Sequence, residues 1–231
     1  MIKNKQIILL IGRENLEKDS HLYTDVFAKL HRLPFSIFYD PSDQIRQIIN
    51  LPLFNFVPKF LRELNWLRKI ARIGIITFVF FKHGLFDLAY IKAFRQNPND
   101  LNLRLTALLT QLKKFPQDSQ ITLIGRSAGA ILATKVSLHI QIQQIICLGY
   151  PFKHPDKAEE PFRYAHLVDV DTPTLIIQGE RDSYGGREIV EKYPLNPSTE
   201  IIFENLDHDF QLTEETRLSL MNLIKTRIEG F

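Results

Sequence analysis

The chain has 231 residues, of which 45% are hydrophobic and 24% charged, with a formal net charge of +3. This length and composition are typical of one globular α/β domain, so they exclude a disordered chain and a small disulfide scaffold. The single cysteine, Cys147, excludes an internal disulfide and fits a reducing compartment. We therefore predict one cytoplasmic domain spanning residues 1–231.

The first elements alternate strand and helix at short spacing. A continuous apolar run over residues 6–11 ends at Gly12 and predicts a strand buried on both faces of a parallel sheet. The run is too short for a signal peptide and lacks a small-residue cleavage site. A helix is predicted from Ser20, followed by Pro34, a strand over 35–39 and a short helix over 44–49.

Residues 51–96 do not fit this minimal alternation. Between 56 and 95 the chain has eight basic and two acidic residues, a net charge of +6, which leaves −3 for the rest. Apolar residues recur there at helical spacing: Val57, Phe60, Leu61, Leu64, Leu67 and Ala71. This pattern predicts a basic amphipathic helix, either packed on the domain as an inserted layer or touching a membrane surface or acyl chain. No zinc-ligand cluster or nucleic-acid motif accompanies the charge, so we expect no nucleic-acid partner.

The second half of the chain continues the alternation. A helix is predicted from Asn99 to about Lys113, and another from Ser127 to about His139. Buried strands are predicted at 121–124, 144–148, 174–178 and 200–203, and a last helix is capped by Thr213 with Thr216 as its partner. Strands alternating with helices predict an α/β fold with an open, mostly parallel, doubly wound sheet.

The arrangement most typical of chemistry is G-R-S-A-G at 125–129, between a predicted strand and a predicted helix. A sharp turn there strains the serine backbone, and Gly125 and Gly129 let strand and helix pass closely. Ser127 would then project from the carboxyl end of the sheet, and the amide of Ala128 would point at a developing oxyanion. The alternative is a glycine-lined turn whose serine caps the helix.

A serine hydroxyl needs a general base, normally a histidine oriented by a carboxylate. Ser127, Asp182 and His208 each follow a predicted strand directly, and the carboxyl ends of parallel strands lie at one edge of a sheet. The alternatives are an Asp182 that bonds its own turn and a His208 that is an ordinary loop residue. Cys147 lies inside an apolar strand and is expected to be a small buried hydrophobe.

These motifs resemble those of α/β-hydrolases, in particular the small dienelactone-hydrolase-like branch. The residues that carry the resemblance are Gly125-Arg126-Ser127-Ala128-Gly129, Gly149-Tyr150-Pro151, P-T-L-I-I-Q-G-E-R-D from Pro173, and L-D-H-D-F from Leu206. The order nucleophile, acid, base is also that of the family. The resemblance implies an α/β-hydrolase sheet with a helical insertion at 51–96, before the nucleophile elbow.

The resemblance further implies a serine hydrolase that acts on a small-molecule ester or acyl substrate, without metal or cofactor. Ala128, with Gly12 or Arg13, would form the oxyanion hole, although the His-Gly that many relatives have after the first strand is missing here. Arg126 and Tyr150 are candidate substrate contacts, and for Arg126 a structural salt bridge is the alternative. A non-catalytic binding or scaffold protein and an acyl transferase remain rival functions.

Overall fold

The computed structural model describes residues 6–12, 22, 26–30, 34–41, 66, 70, 73–74, 77–78, 81, 92–93, 96–97 and 99–230. The chain divides into two compact units. One comprises Met1–Phe38 with Pro116–Phe231, and the other comprises Tyr39–Phe115. The single domain with an insert at 51–96 stays a prediction.

Six strands form one sheet in the order β2-β1-β3-β4-β5-β6. Their bounds are β1 Gln6–Ile11, β2 Ser36–Tyr39, β3 Gln120–Arg126, β4 Gln144–Leu148, β5 Thr174–Gly179 and β6 Thr199–Glu204. The pairs β1–β3, β3–β4, β4–β5 and β5–β6 are all parallel. The predicted strands are therefore present, and the open α/β sheet is confirmed.

The register of these strands brings the ends of the central ones together. Ile11, the last residue of β1, is paired with Gly125, and Gly125 is paired with Cys147 of β4. Gly179, at the end of β5, is paired with Glu204 at the end of β6. The loops that follow β1, β3, β5 and β6 therefore leave the sheet at the same edge, which is where open α/β sheets place their ligands.

Within the described residues the α-helices include α1 Ala28–Leu30, α2 Leu101–Leu112, α3 Ala128–Ser137, α4 Ile189–Lys192 and α5 Glu214–Glu229. Helices α2, α3 and α5 lie where the sequence predicts helices, whereas the short α4 was not predicted. Helix α2 begins after Asp100, whose carboxylate accepts from the amides of Asn102 and Leu103. Helix α5 begins after Thr213, which forms a capping box with Thr216 as expected.

Within the Tyr39–Phe115 unit, Arg104 and Asp40 form a fully buried ion pair at 2.9 Å. The described residues between 66 and 81 are all helical. Several sequence predictions lie outside the described residues: the helix start at Ser20, the helix over 44–49, and the apolar stripe with Val57, Phe60, Leu61, Leu64, Leu67 and Ala71.

Candidate active site

Ser127 occupies a strained turn between β3 and α3. Its backbone has φ 52° and ψ −119°, a left-handed conformation that a non-glycine residue adopts at a cost of roughly 1–3 kcal/mol. The amide of Ser127 donates to the carbonyl of Leu148 at 3.1 Å, and its own carbonyl accepts from Ala130 at 2.7 Å. These two bonds hold the strained residue between β4 and the first turn of α3.

The two glycines of the turn stand where a side chain would collide with backbone. A Cβ on Gly129 would lie 2.1 Å from the carbonyl oxygen of Ile11, and a Cβ on Gly125 would lie 2.6 Å from the Cα of Ala130. Helix α3 thus starts in direct contact with the end of β1, and it passes β3 at the closest approach that backbone allows. The close packing expected of this turn is present.

The three residues predicted to act together are joined by hydrogen bonds. Ser127 Oγ lies 2.9 Å from Nε2 of His208, and Nδ1 of the same ring lies 2.9 Å from both carboxylate oxygens of Asp182. The Asp182 side chain has no exposed surface, and that of His208 is 12% exposed. Ser127 is also buried, at 7% exposure. A hydroxyl, an imidazole and a carboxylate therefore form one continuous chain at the edge of the sheet.

The carboxylate of Asp182 is held on two further sides. Gln178 donates from Nε2 to Asp182 Oδ2 at 3.0 Å, and the amide of Tyr184 donates to Oδ1 at 2.8 Å. Gln178 is fully buried and also contacts the Tyr150 backbone, accepting from its amide at 2.8 Å. Its Nε2 lies 2.7 Å from the carbonyl of Gly185 as well. One amide side chain thus connects the loops that follow β4 and β5.

The ring of Tyr184 packs on the imidazole of His208. Their centroids lie 4.1 Å apart with an interplanar angle of 31°. Because the Tyr184 amide also bonds Asp182, this residue contacts both the base candidate and the acid candidate. The imidazole is therefore confined by a ring on one face and by hydrogen bonds at both of its nitrogens.

Arg126 is fully buried beneath the elbow and holds the histidine loop in place. Its Nη1 donates to the carbonyl of Leu148 at 3.2 Å, and its Nη2 donates to the carbonyl of His208. The guanidinium also lies 4.7 Å from the ring centroid of Phe210, a cation–π contact. The carbonyl of Leu148 also accepts from the amide of Ser127, so Arg126 connects the histidine loop to the turn that holds Ser127.

The predicted oxyanion donors are described in part. Ala128 is the first residue of α3, where helix amides have no carbonyl partner in a preceding turn. Gly12 is buried at the end of β1, and its carbonyl would lie 2.8 Å from a Cβ on Gly129, so it lies beside the start of α3. Arg13 lies outside the described residues.

Tyr150 belongs to an internal cluster. Its side chain is fully buried, and its hydroxyl donates to the carbonyl of Arg163 at 2.5 Å. His166 Nε2 lies 2.9 Å from Thr134 Oγ1 and 3.5 Å from the Tyr150 hydroxyl. Burial raises the pKa of Tyr150, and burial together with the Lys135 ammonium lowers the pKa of His166 to about 4. Contact of Tyr150 or Arg126 with a substrate stays a prediction.

The described part of the chain contains one thiol, that of Cys147. Cys147 is fully buried in β4, and burial raises the pKa of its thiol, as expected for a structural cysteine. Within the described ranges no cluster of three or more His, Cys, Asp or Glu side chains is arranged to hold a metal ion. In the same part of the chain, no helix combines the length and the hydropathy required to cross a bilayer.

Two side chains of the site were not identified from sequence, namely Gln178 and Tyr184. Gln178 carried a signal, because it is a polar residue within a continuous apolar strand and stands four positions before Asp182. A buried polar group requires partners, and the nearest candidates in sequence lay in the loop ahead. Tyr184 carried no comparable signal, since a tyrosine in a glycine-containing loop is common.

Comparison with known proteins places the chain in a family. The sequence model described as alpha/beta hydrolase domain matches residues 69–230, which includes the elbow and both partner loops. A search of curated protein sequences gives no significant match. The narrower resemblance to the dienelactone-hydrolase-like branch stays a prediction.

Solved structures share the fold at low sequence identity. A protein of the alpha/beta superfamily from Xanthomonas campestris pv. campestris is 13% identical, with a TM-score of 0.56 and coverage of 99% of both chains. A hydrolase from Oleispira antarctica is 13% identical, with a TM-score of 0.57 over 99% of this chain and 92% of that one. Est1E from Butyrivibrio proteoclasticus is 12% identical, with a TM-score of 0.54 over 98% and 90%. With the family match over residues 69–230, the chain belongs to the alpha/beta hydrolase domain family.

Proposed function

We propose that this protein is a serine hydrolase that cleaves a carboxylic ester or acyl substrate, with Ser127 as nucleophile. The observation that carries the proposal is the hydrogen-bonded chain from Ser127 Oγ through both nitrogens of His208 to Asp182. A hydroxyl bonded in this way to an oriented imidazole is the arrangement that activates serine in acyl transfer. The family match supports a hydrolase, and a serine nucleophile is suited to cleaving a carboxylic ester.

Each of the three residues has a distinct task in this mechanism. His208 Nε2 takes the proton of Ser127 as Oγ bonds to the carbonyl carbon, and the same nitrogen then protonates the departing alcohol as its C–O bond breaks. In the second half water bonds to the acyl carbon and loses its proton to His208. The same nitrogen then returns a proton to Ser127 Oγ as the bond between Oγ and the acyl carbon breaks and the acid is released. Asp182 accepts from Nδ1–H, which keeps the imidazole in the tautomer whose Nε2 faces Ser127.

The developing oxyanion requires donors fixed in advance. The Ala128 amide at the start of α3 is one donor, and an amide from Gly12 or Arg13 is the second. The contact between Gly129 and the end of β1 supports this pairing, because it brings the Gly12 backbone beside the first turn of α3. Removing one such donor lowers kcat by about 10²–10³-fold.

Gln178 and Arg126 are positioning residues in this proposal. Gln178 donates to the carboxylate of Asp182 and so orients it, while Arg126 donates to the carbonyl of His208 and so holds the histidine loop near the elbow. Neither side chain needs to touch the substrate. Their contribution is to hold acid, base and nucleophile within hydrogen-bond reach before the substrate arrives.

The proposal is tested by hydrolysis of p-nitrophenyl esters of increasing acyl length. We expect turnover by the native protein and its loss in Ser127→Ala. Ser137→Ala is the matched control, because Ser137 lies at the other end of α3 and bonds the carbonyl of Thr134. Full activity of Ser127→Ala, or a folded native protein without turnover on any ester of the series, would contradict the proposal and favour a non-catalytic member of the family.

A further inference from the structure

The helical residues between 66 and 81 carry large apolar side chains that are open to solvent. We name as the exposed apolar face Trp66, Ile70, Ile73, Phe78 and Phe81, which are exposed by 56%, 57%, 37%, 66% and 64%. Each lies in helical backbone, and all five fall within residues 66–81. Scattered apolar residues on a surface are ordinary, but several large ones exposed along one short stretch of chain indicate an interaction site.

This face differs from the stripe that the sequence pattern had indicated. The predicted apolar stripe contains Leu64, Leu67 and Ala71, which alternate along the chain with residues of the exposed apolar face. The segment therefore has two sets of apolar residues, each at helical spacing. A helix that only packed on the protein would require one such set.

The charge of the same segment identifies the chemistry of the partner. Residues 56–95 carry a net charge of +6, and Arg68, Lys69, Arg72 and Lys82 are interleaved in sequence with the exposed apolar face. Apolar and aromatic side chains combined with lysine and arginine are the composition of helices that lie in the interface of an anionic bilayer. Trp66 adds to this, since tryptophan is enriched at the level of the lipid headgroups.

A second copy of the chain fits this face less well. A symmetric dimer brings the same patch of both subunits together, so two segments of charge +6 would meet across the interface. Like charges placed opposite each other oppose association, whereas anionic headgroups attract the same residues. We propose that the exposed apolar face docks the protein on the surface of an anionic membrane.

The experiment uses the native chain, in which Trp66 is the only tryptophan and so reports directly from the face. The protein is mixed with vesicles of phosphatidylcholine and phosphatidylserine, and separately with vesicles of phosphatidylcholine alone. We expect co-sedimentation with the anionic vesicles, weakened by high salt because the charges are screened. We also expect Trp66 emission to shift to shorter wavelength and to be quenched by brominated acyl chains.

Two variants separate a specific face from general stickiness. Ile70→Asp should weaken binding by about tenfold or more, because one apolar side chain is withdrawn from the bilayer and an anion takes its place. The matched control is Leu218→Asp, which changes an exposed leucine, 49% accessible, on helix α5. We expect this control to bind vesicles as the native chain does.

Several results would overturn the inference. One is an absence of binding to phosphatidylserine vesicles at low salt, or an unquenched Trp66 in bound protein. Another is equal weakening by Leu218→Asp. A blue-shifted Trp66 that depends on protein concentration without vesicles would identify a second copy as the occupant. The quenching experiment uses the native chain, so it remains a valid test even if Ile70→Asp does not fold. Ser127→Ala should bind vesicles as the native chain does, so the result does not depend on the proposed activity.

Discussion

The loops at the carboxyl edge of the sheet and the described helical residues between 66 and 81 differ in which side chains they bury and which they expose. At the sheet edge, polar groups are buried and each meets a partner, as Gln178 and Asp182 do. Between 66 and 81, large apolar groups such as Phe78 are open to solvent. A buried polar set and an exposed apolar set are the two departures from ordinary folding that usually indicate function.

The difference also predicts how each region responds to change. The sheet edge is packed to backbone contact and its hydrogen bonds are shared among loops, so single substitutions there should have large effects. The side chains of Trp66, Ile70, Ile73, Phe78 and Phe81 are exposed, so substituting them should leave the free energy of unfolding nearly unchanged.

The largest expected effect is on catalysis. Asp182→Asn keeps the shape of the side chain but replaces an acceptor beside Nδ1 by a group that can donate, which favours the wrong imidazole tautomer. We expect the rate of ester hydrolysis to fall by about 10⁴, and the unfolding midpoint to fall as well, because the Asn amide places a donor against that of Gln178 or Tyr184. The measurement is kcat on a p-nitrophenyl ester alongside thermal unfolding, and a rate within tenfold of the native value would show that Asp182 only shapes its turn.

A pair of glycine substitutions compares the two regions directly. Gly129→Ala places a Cβ 2.1 Å from the carbonyl of Ile11, so we expect a loss of roughly 3 kcal/mol or more in unfolding free energy. Gly74→Ala meets nothing within 4 Å in helical backbone, so we expect a gain of about 0.5–1 kcal/mol. Urea unfolding of both variants measures the change in unfolding free energy. Changes of the same sign and size in Gly129→Ala and Gly74→Ala would contradict the difference proposed between the two regions.

Gln178 supplies a prediction of intermediate size. Gln178→Leu removes the donor to Asp182 and the acceptor of the Tyr150 backbone amide. Because the carboxylate is then less well oriented, we expect kcat to fall by about 10–100-fold. Gln178→Glu adds a second carboxyl beside Asp182, and the two carboxyls compete for one proton. We expect this variant to displace the pH–rate profile, which a purely structural role would not do. An unshifted profile in Gln178→Glu would argue that Gln178 only packs the loops.

The smallest expected effect concerns acid stability. Burial, with the Lys135 ammonium, lowers the pKa of His166 to about 4. At pH values below the ordinary histidine pKa of 6.5, the folded state therefore binds fewer protons at His166 than the unfolded state does. His166 therefore costs stability as the pH falls from about 6.5 towards 4, by on the order of 1–3 kcal/mol. His166→Gln should flatten this dependence in urea unfolding at several pH values. An equally steep loss in the variant would assign the acid sensitivity to other groups.

Much of the sheet and the candidate site could be predicted from sequence because the signals are local. Buried parallel strands are continuous apolar runs, and β1 and β4 have the predicted bounds. The spacing of glycines around Ser127 reflects backbone collisions that only glycine avoids. Asp182 and His208 were identified because each follows a strand, and strand ends converge in a parallel sheet.

The remainder depends on contacts between distant residues. The bond from Gln178 to Asp182 and that from Arg126 to the carbonyl of His208 exist only once the loops meet, so residue type alone did not assign them. Around residues 64–73 the sequence has apolar residues at helical spacing in two sets, Leu64, Leu67 and Ala71 in one and Trp66, Ile70 and Ile73 in the other. Periodicity shows that a face exists, but burial decides which face is left outside.

The most direct test of the central claim is labelling of the native protein with a fluorophosphonate, followed by mass spectrometry of its peptides. A fluorophosphonate reacts with a serine hydroxyl that a neighbouring base deprotonates, so it reports activation without any assumption about the substrate. We expect a single adduct on Ser127, formed much more slowly in Asp182→Asn. Folded protein that remains unlabelled, or is labelled equally on other serines, would contradict it.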